Sequence, residues 1–184
     1  MRVPRNALVH LTPDGDLVPG AVPGSSRVWP FTQSWRFLWR SRNPSWLDPI
    51  NLLVLRATPE SVRDALMGVG WSRPDDGATH RTWVNGTFRR MRDHIALGER
   101  AERIHVRLFA LGDGTLIAAH HEVANGRGAH RVTSWDRARG ETADALEATG
   151  FARIAPTGPI TPADLRGVPS DGRAWRLIGP SGEH

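Results

Sequence analysis

Arg103-Ile104-His105-Val106-Arg107-Leu108 alternates polar and apolar residues without a break. Successive side chains of a strand point to opposite faces, so Arg103, His105 and Arg107 share one face and Ile104, Val106 and Leu108 the other. Further on, His120, His121 and Glu122 stand in succession, followed by His130 and Asp136. Imidazole titrates near neutral pH and a neighbouring carboxylate fixes its tautomer, so this set can carry acid–base chemistry. His105, Glu122, His130 and Asp136 are the candidate catalytic residues. Asp93, Arg103, Arg107, His120 and His121 are the candidate substrate-binding residues, with guanidinium groups suited to a small anionic ligand. Imidazole and carboxylate also suit Zn, Fe, Mn or Ni, so a divalent metal cofactor stays open. The plainest alternative is a solvated strand face with an Arg–Glu cross-strand pair.

Which histidine joins His105 depends on the turn around Gly112-Asp113-Gly114. A two-residue loop puts His120 and Glu122 on the His105 face, whereas a three-residue loop puts His121 there.

Composition excludes much other chemistry. The 184 residues contain no Cys and no Tyr, and all 24 basic side chains are Arg. Thiol nucleophiles, Cys-ligated zinc, Schiff-base lysines and P-loop lysines are therefore absent. Such a balance is also what a GC-rich bacterial genome produces. The pI of about 11.3 accompanies a formal charge of only +5. Without Lys, Tyr or Cys, only the α-amino group titrates between His and Arg, so the pI overstates the basic field. No stretch approaches the roughly 18–20 apolar residues of a membrane span. The first 20 residues lack the apolar core of a signal peptide. A cytoplasmic protein is the expectation. His121-Glu122-Val123-Ala124-Asn125 begins like a zinc-protease motif and lacks its second His.

The elements that must position these residues read as an α+β fold, with a mostly antiparallel sheet and two helices on one face. Residues 1–47 form a Pro-, Trp- and Arg-rich arm, 48–154 the compact domain, and 155–184 a Pro/Gly-rich extension. Within the arm, residues 1–28 read as extended or irregular. Phe31, Trp35, Leu38 and Trp39 fall on one face of a short amphipathic helix over residues 29–42. A strand spans residues 50–55. Thr58-Pro59-Glu60 then opens a helix, with Thr as N-cap and Pro at the first position, and Gly70 ends it. Asn85-Gly86 turns a hairpin over residues 79–92. Strands follow over 103–108, 115–123 and 129–133. Ser134 or Asp136 caps a second helix ending at Gly150. Asp64-Ala65-Leu66 through Gly70-Trp71 parallels Asp144-Ala145-Leu146 through Gly150-Phe151. Thr161-Pro162-Ala163-Asp164 reads as one helical turn and residues 174–178 as a short strand.

Several segments resemble the LssY C-terminal domain family over about residues 48–150. Asp48-Pro49-Ile50-Asn51 opening a strand, and a helix closing on Gly70-Trp71, are similar to its opening. Asp93-His94-Ile95-Ala96-Leu97 resembles its Asp-Leu-Ala-Phe segment, and Arg103-Ile104-His105-Val106-Arg107 its Arg-His-His-Val-Arg strand. Ala118-Ala119-His120-His121-Glu122 and His130-Arg131-Val132 through Asp136 follow in the same order. The family's Ser-Pro-Leu-Tyr-Leu-Phe-Gly-Arg segment is missing here or replaced by the hairpin around Asn85-Gly86. Arg137-Ala138-Arg139 stands where an acid–Arg pair is expected. The family's role is poorly defined, so the resemblance implies positions rather than an activity: Asp93, His105, Arg107, Glu122, His130 and Asp136.

Three functions follow as expectations. The first is a small enzyme or ligand-binding domain using the His/carboxylate/Arg face, with hydrolysis of a small anionic substrate as the reaction class. The second is a nucleic-acid binder, since residues 81–107 carry seven Arg against three acids, with Trp83 and Phe88 able to stack on bases. The third is an accessory protein binding a partner through the Trp-rich arm.

Overall fold

The computed structural model describes residues 9–12, 16–18, 23–28, 30–34, 47–74, 80–85, 87–125, 130–165 and 167–180. Sixteen strands and two helices follow in chain order: β1 (Val9–Leu11), β2 (Leu17–Val18), β3 (Ser26–Val28), β4 (Phe31–Ser34), β5 (Leu47–Pro49), β6 (Leu52–Leu55), α1 (Pro59–Gly68), β7 (His80–Val84), β8 (Thr87–Arg90), β9 (Asp93–Glu99), β10 (Glu102–Leu111), β11 (Gly114–Ala124), β12 (His130–Ser134), α2 (Asp136–Glu147), β13 (Ala152–Arg153), β14 (Asp164–Leu165), β15 (Val168–Pro169) and β16 (Trp175–Ile178). One sheet runs β13-β16-β6-β11-β10-β9, with β12 beside β11. A second runs β2-β1-β3-β7-β4-β5, with β8 beside β7. Pairing is antiparallel except between β16 and β6.

Both helices lie on one face of the first sheet, as alternation and the apolar stripes require. Val62 and Leu66 of α1 and Ala138, Ala143 and Leu146 of α2 share a core with Leu52, Val54, Ile104, Val106, Leu108 and Ile117. The helices end alike. The N–H groups of Val69 and Trp71 donate to the Leu66 carbonyl, and those of Thr149 and Phe151 to the Leu146 carbonyl. Gly70 and Gly150 stand at φ of 94° and 93°, a conformation that costs glycine little. Each cap delivers its aromatic, Trp71 or Phe151, into the same core. Thr58 caps α1 by accepting from the Ser61 N–H at 3.2 Å. Ser134, rather than Asp136, accepts from the Arg137 N–H at the start of α2.

The other face of the first sheet is covered by the second sheet. Leu53, Phe109, Leu111, Leu116 and Ala118 pack there on Val9, Val28 and Val84. Strand pairing revises two expectations. Phe31–Ser34 is a strand and not the start of a helix, because its backbone pairs with β5 on one side and β7 on the other. Ladder pairing on both sides overrides a weak helical periodicity. Trp29 and residues 35–42, the rest of that expected helix, lie outside the described residues. In the C-terminal extension, the expected helical turn at Thr161 is absent, and Asp164–Leu165 pairs with β15 instead.

Gly98 of β9 pairs with Arg103 and has φ of 102°. A Cβ there would lie 2.7 Å from the Glu102 carbonyl oxygen and 3.2 Å from Arg103 Cα. Gly98→Ala therefore combines a disfavoured φ with a backbone clash beside the site. We expect a loss of roughly 2 kcal/mol or more in urea unfolding; an unchanged midpoint would contradict the assigned β9 register.

Candidate functional site

β10 and β11 are joined by the two-residue turn Gly112-Asp113, with Leu111 opposite Gly114. That settles the register in favour of His120. Arg103 faces Glu122, His105 faces His120, and Arg107 faces Ala118. On the other side, β9 places His94 opposite Arg107 and Ala96 opposite His105. A bulge between His121 and Glu122 shifts the β12 register and sets His130 opposite Ala124.

These side chains do not meet solvent as an open polar face. They fill one end of the space between the sheets, where Asp48 of β5 and His80 of β7 join them. His105, Arg107, His120, Glu122, Asp48, His80 and His94 are all buried. Glu122 is the hub. Its Oε1 accepts from Arg103 Nε at 2.8 Å and from His130 Nδ1 at 2.5 Å, and lies 3.4 Å from His105 Nδ1. Its Oε2 is 3.1 Å from His120 Nε2. Arg107 Nη1 donates to Asp48 and lies 3.2 Å from His120 Nδ1. His94 Nε2 and His105 Nδ1 are 3.2 Å apart, with the rings edge-on. Asn51 fixes β11 from beneath, donating to the Ala119 carbonyl at 2.8 Å and accepting its N–H at 2.9 Å.

The network dictates its own protonation. A guanidinium only donates, so His120 Nδ1 accepts from Arg107 and the neutral ring carries its proton on Nε2, donating to Glu122. A carboxylate only accepts, so His130 donates from Nδ1 to Glu122. Beside it, Arg103 Nη2 at 3.1 Å contributes charge rather than a second bond. Burial lowers the His105 pKa, only partly offset by Glu122. Burial and the Arg107 charge also lower His120, and both push His80 down to about 2. Burial alone would raise Glu122. The hydrogen bond from His120, the neighbouring His105 ring and the bond from Arg103 bring it well below the usual carboxylate range. The cluster is thus two carboxylates against two guanidiniums, threaded by the neutral rings of His80, His105 and His120.

His105, His120 and Glu122 each offer a donor atom within 4.8 Å of the others, the ligand types of a two-histidine, one-carboxylate metal centre. The tautomers oppose that use. A metal on His120 Nε2 requires the ring proton on Nδ1, where Arg107 already donates, so loading the site means releasing Arg107.

Three expected site residues lie elsewhere. His121 points to the helix face, where it meets Glu102 at 2.9 Å and Thr133 at 2.5 Å beside a cleft of about 350 Å³. Asp93 accepts from Arg73 at 2.7 Å and Arg63 at 3.5 Å, fastening β9 to the α1 side. Asp136 accepts from the Ser170 hydroxyl and the Asp171 N–H, anchoring the C-terminal extension to α2. Sequence reasoning left out Asp48, His80 and His94. His94 alone carried a signal, since Ile95 and Leu97 alternate with it as strand residues do.

Compared with known proteins, the chain matches no family model, no curated protein and no solved structure. Among the described residues, no helix is long and apolar enough to cross a membrane.

Proposed function

We propose that the chain is a small acid–base enzyme acting on an anionic substrate, with His130 as the proton-transfer group and Glu122 as the carboxylate that orients it. The observation that carries this reading is the 2.5 Å contact from His130 Nδ1 to Glu122 Oε1 at the rim of the cluster. The His130 side chain keeps 17 % exposure, while those of His105 and His120 keep 3 % and 2 %. The Nδ1–H tautomer leaves Nε2 as a base at the accessible edge, the arrangement in which a carboxylate fixes a histidine for general-base work. Nε2 takes a proton from water as the water oxygen bonds to an acyl or phosphoryl centre. The leaving oxygen departs with the electron pair of the broken bond and takes the proton back. Arg103, charged and adjacent, holds the substrate's anionic group. His105 and His120 keep Glu122 ionised, and Arg107 fixes the His120 tautomer that donates to it. The motif order that resembles the LssY C-terminal domain family supports the same positions, and kinship with that family is likewise a proposal.

A panel of small phosphate and carboxylate esters tests this. His130→Asn should lower turnover about 10²- to 10⁴-fold, while His121→Asn, on the opposite face, should leave it unchanged. Wild-type turnover that survives His130→Asn overturns the assignment. Stoichiometric binding of Zn²⁺ or Mn²⁺ that is lost in His120→Asn would favour the metal reading instead.

A further inference from the structure

The outer face of the second sheet carries a different chemistry. In β7, His80, Thr82 and Val84 point inward and are buried, so Arg81 and Trp83 point outward. In the β7–β8 register Trp83 stands opposite Phe88 and Arg81 opposite Arg90. Directly opposed residues share a face, so this hairpin presents an aromatic pair beside an arginine pair. Arg27 of β3 adds a third guanidinium, 5.9 Å from the Trp83 ring. All four residues of β8 are exposed. Among the described residues, Phe88 is one of three exposed large hydrophobic side chains, at 38 %. Along the β8 edge, Phe88, Arg89, Arg90, Met91, Arg92 and Ala110 line a groove of about 490 Å³. No acidic residue occurs between positions 80 and 92.

We propose that this hairpin binds single-stranded nucleic acid, with Trp83 and Phe88 as a stacking platform and Arg27, Arg81, Arg90 and Arg92 along the phosphates. Charge on an edge strand also discourages edge-to-edge pairing, but that does not account for two aromatics set side by side between the arginines. Stacking against an aromatic face is tolerant of base identity, and the guanidiniums of Arg27, Arg90 and Arg92 beside it suit the phosphates that link the bases. A duplex has no unstacked bases to offer the platform, so single strands are the occupant that uses both features. This surface lies on the far side of the sheet from the Glu122 cluster, and the proposal stands independently of the acid–base reading.

Fluorescence anisotropy of the full chain with labelled dT and rU 12-mers tests it. Binding should weaken with salt, with a log–log slope of roughly −2 to −3 if three or four phosphates are contacted. Phe88→Ala should weaken binding about 10-fold or more, and Arg90→Glu should weaken it further and flatten the slope. Both positions are exposed, so thermal midpoints should stay within a few degrees of wild type. His130→Asn should leave binding unchanged. Undetectable binding at 50 mM salt overturns the proposal. So does equal affinity for duplex DNA or heparin with no Phe88→Ala effect, and so does binding to anionic phosphatidylserine vesicles without oligonucleotide binding.

Discussion

Asp48→Asn is expected to destabilise the protein by about 3–5 kcal/mol, because it leaves the Arg107 guanidinium charged in the space between the sheets with its principal partner gone. The side chains of Asp48 and Arg107 are only 6 % and 9 % exposed. Arg107→Met should cost a similar amount by the converse route, stranding the Asp48 carboxylate and depriving His120 Nδ1 of its donor. A buried pair resists the loss of one partner far more than the loss of both, since desolvation of the remaining charge is the dominant penalty. The double variant Asp48→Leu with Arg107→Met should therefore cost several kcal/mol less than the two single changes combined. Urea unfolding followed by tryptophan fluorescence gives the cycle. If either single change costs less than about 1 kcal/mol, the pair behaves as an exposed surface bridge does, and the two sheets are not held together by it.

That pair also explains why the cluster sits where it does. Asp48 belongs to the second sheet, which continues within two residues into β6 of the first. Arg107 reaches it from β10 of the first sheet. The ion pair thus closes the corner at which the chain passes from one layer to the other. The inter-sheet space is divided lengthwise: Phe109, Leu111, Leu116 and Ala118 make one end apolar, while Arg103, His105, Arg107, His120 and Glu122 make the other polar.

This division was legible in the sequence only in part. Alternation over residues 103–108 put Arg103 and His105 on one face, but the choice between His120 with Glu122 and His121 waited on the loop length, which the structure gives as the two-residue turn Gly112-Asp113. The same face continues into Phe109 and Leu111, and a row that turns from Arg and His to Phe and Leu does not belong on a solvated surface. What covers the row was not readable. β1 to β5 are two to four residues long, and Arg, Pro and Asp interrupt them, so they are too short to display a period. β9 stayed hidden because the charged ends of Asp93–Glu99 and Gly98 mask the strand signal of Ile95 and Leu97. Asp136 is an instance of a carboxylate whose position near His130 in sequence says nothing of its aim. The first turn of α2 carries it toward Ser170 and Asp171, where it serves the C-terminal extension.

Acid should unfold this protein earlier than carboxylate titration alone would. His80, His105 and His120 are all held neutral in the folded state, because burial lowers each pKa from its ordinary value. Arg107, Asp48, His120 and His94 surround His80; Glu122, His120, His94 and Arg107 surround His105. In the unfolded chain each imidazole takes a proton as pH falls through about 6.5. Below that pH the unfolded state binds more protons than the folded one, so stability falls with pH at up to about 1.4 kcal/mol per unit for each histidine. His80 and His105 together remove about 3 kcal/mol by pH 5.5 and about 4 kcal/mol by pH 5, with His120 acting in the same direction, against a typical total of ~5–15 kcal/mol. Glu122, also depressed, adds its loss only below about pH 4.5. Urea midpoints measured from pH 8 to pH 4.5 should therefore be flat above pH 7 and fall steeply below 6.5. His80→Leu isolates one of the three contributions. His80 Nδ1 is buried with no hydrogen-bond partner among the described residues, so its replacement by an apolar side chain should be tolerated at pH 7 and should reduce the acid slope by up to about 1.4 kcal/mol per pH unit. A wild-type midpoint that does not move between pH 7 and pH 5 would mean that these imidazoles are solvated, and the buried neutral network described above would be wrong.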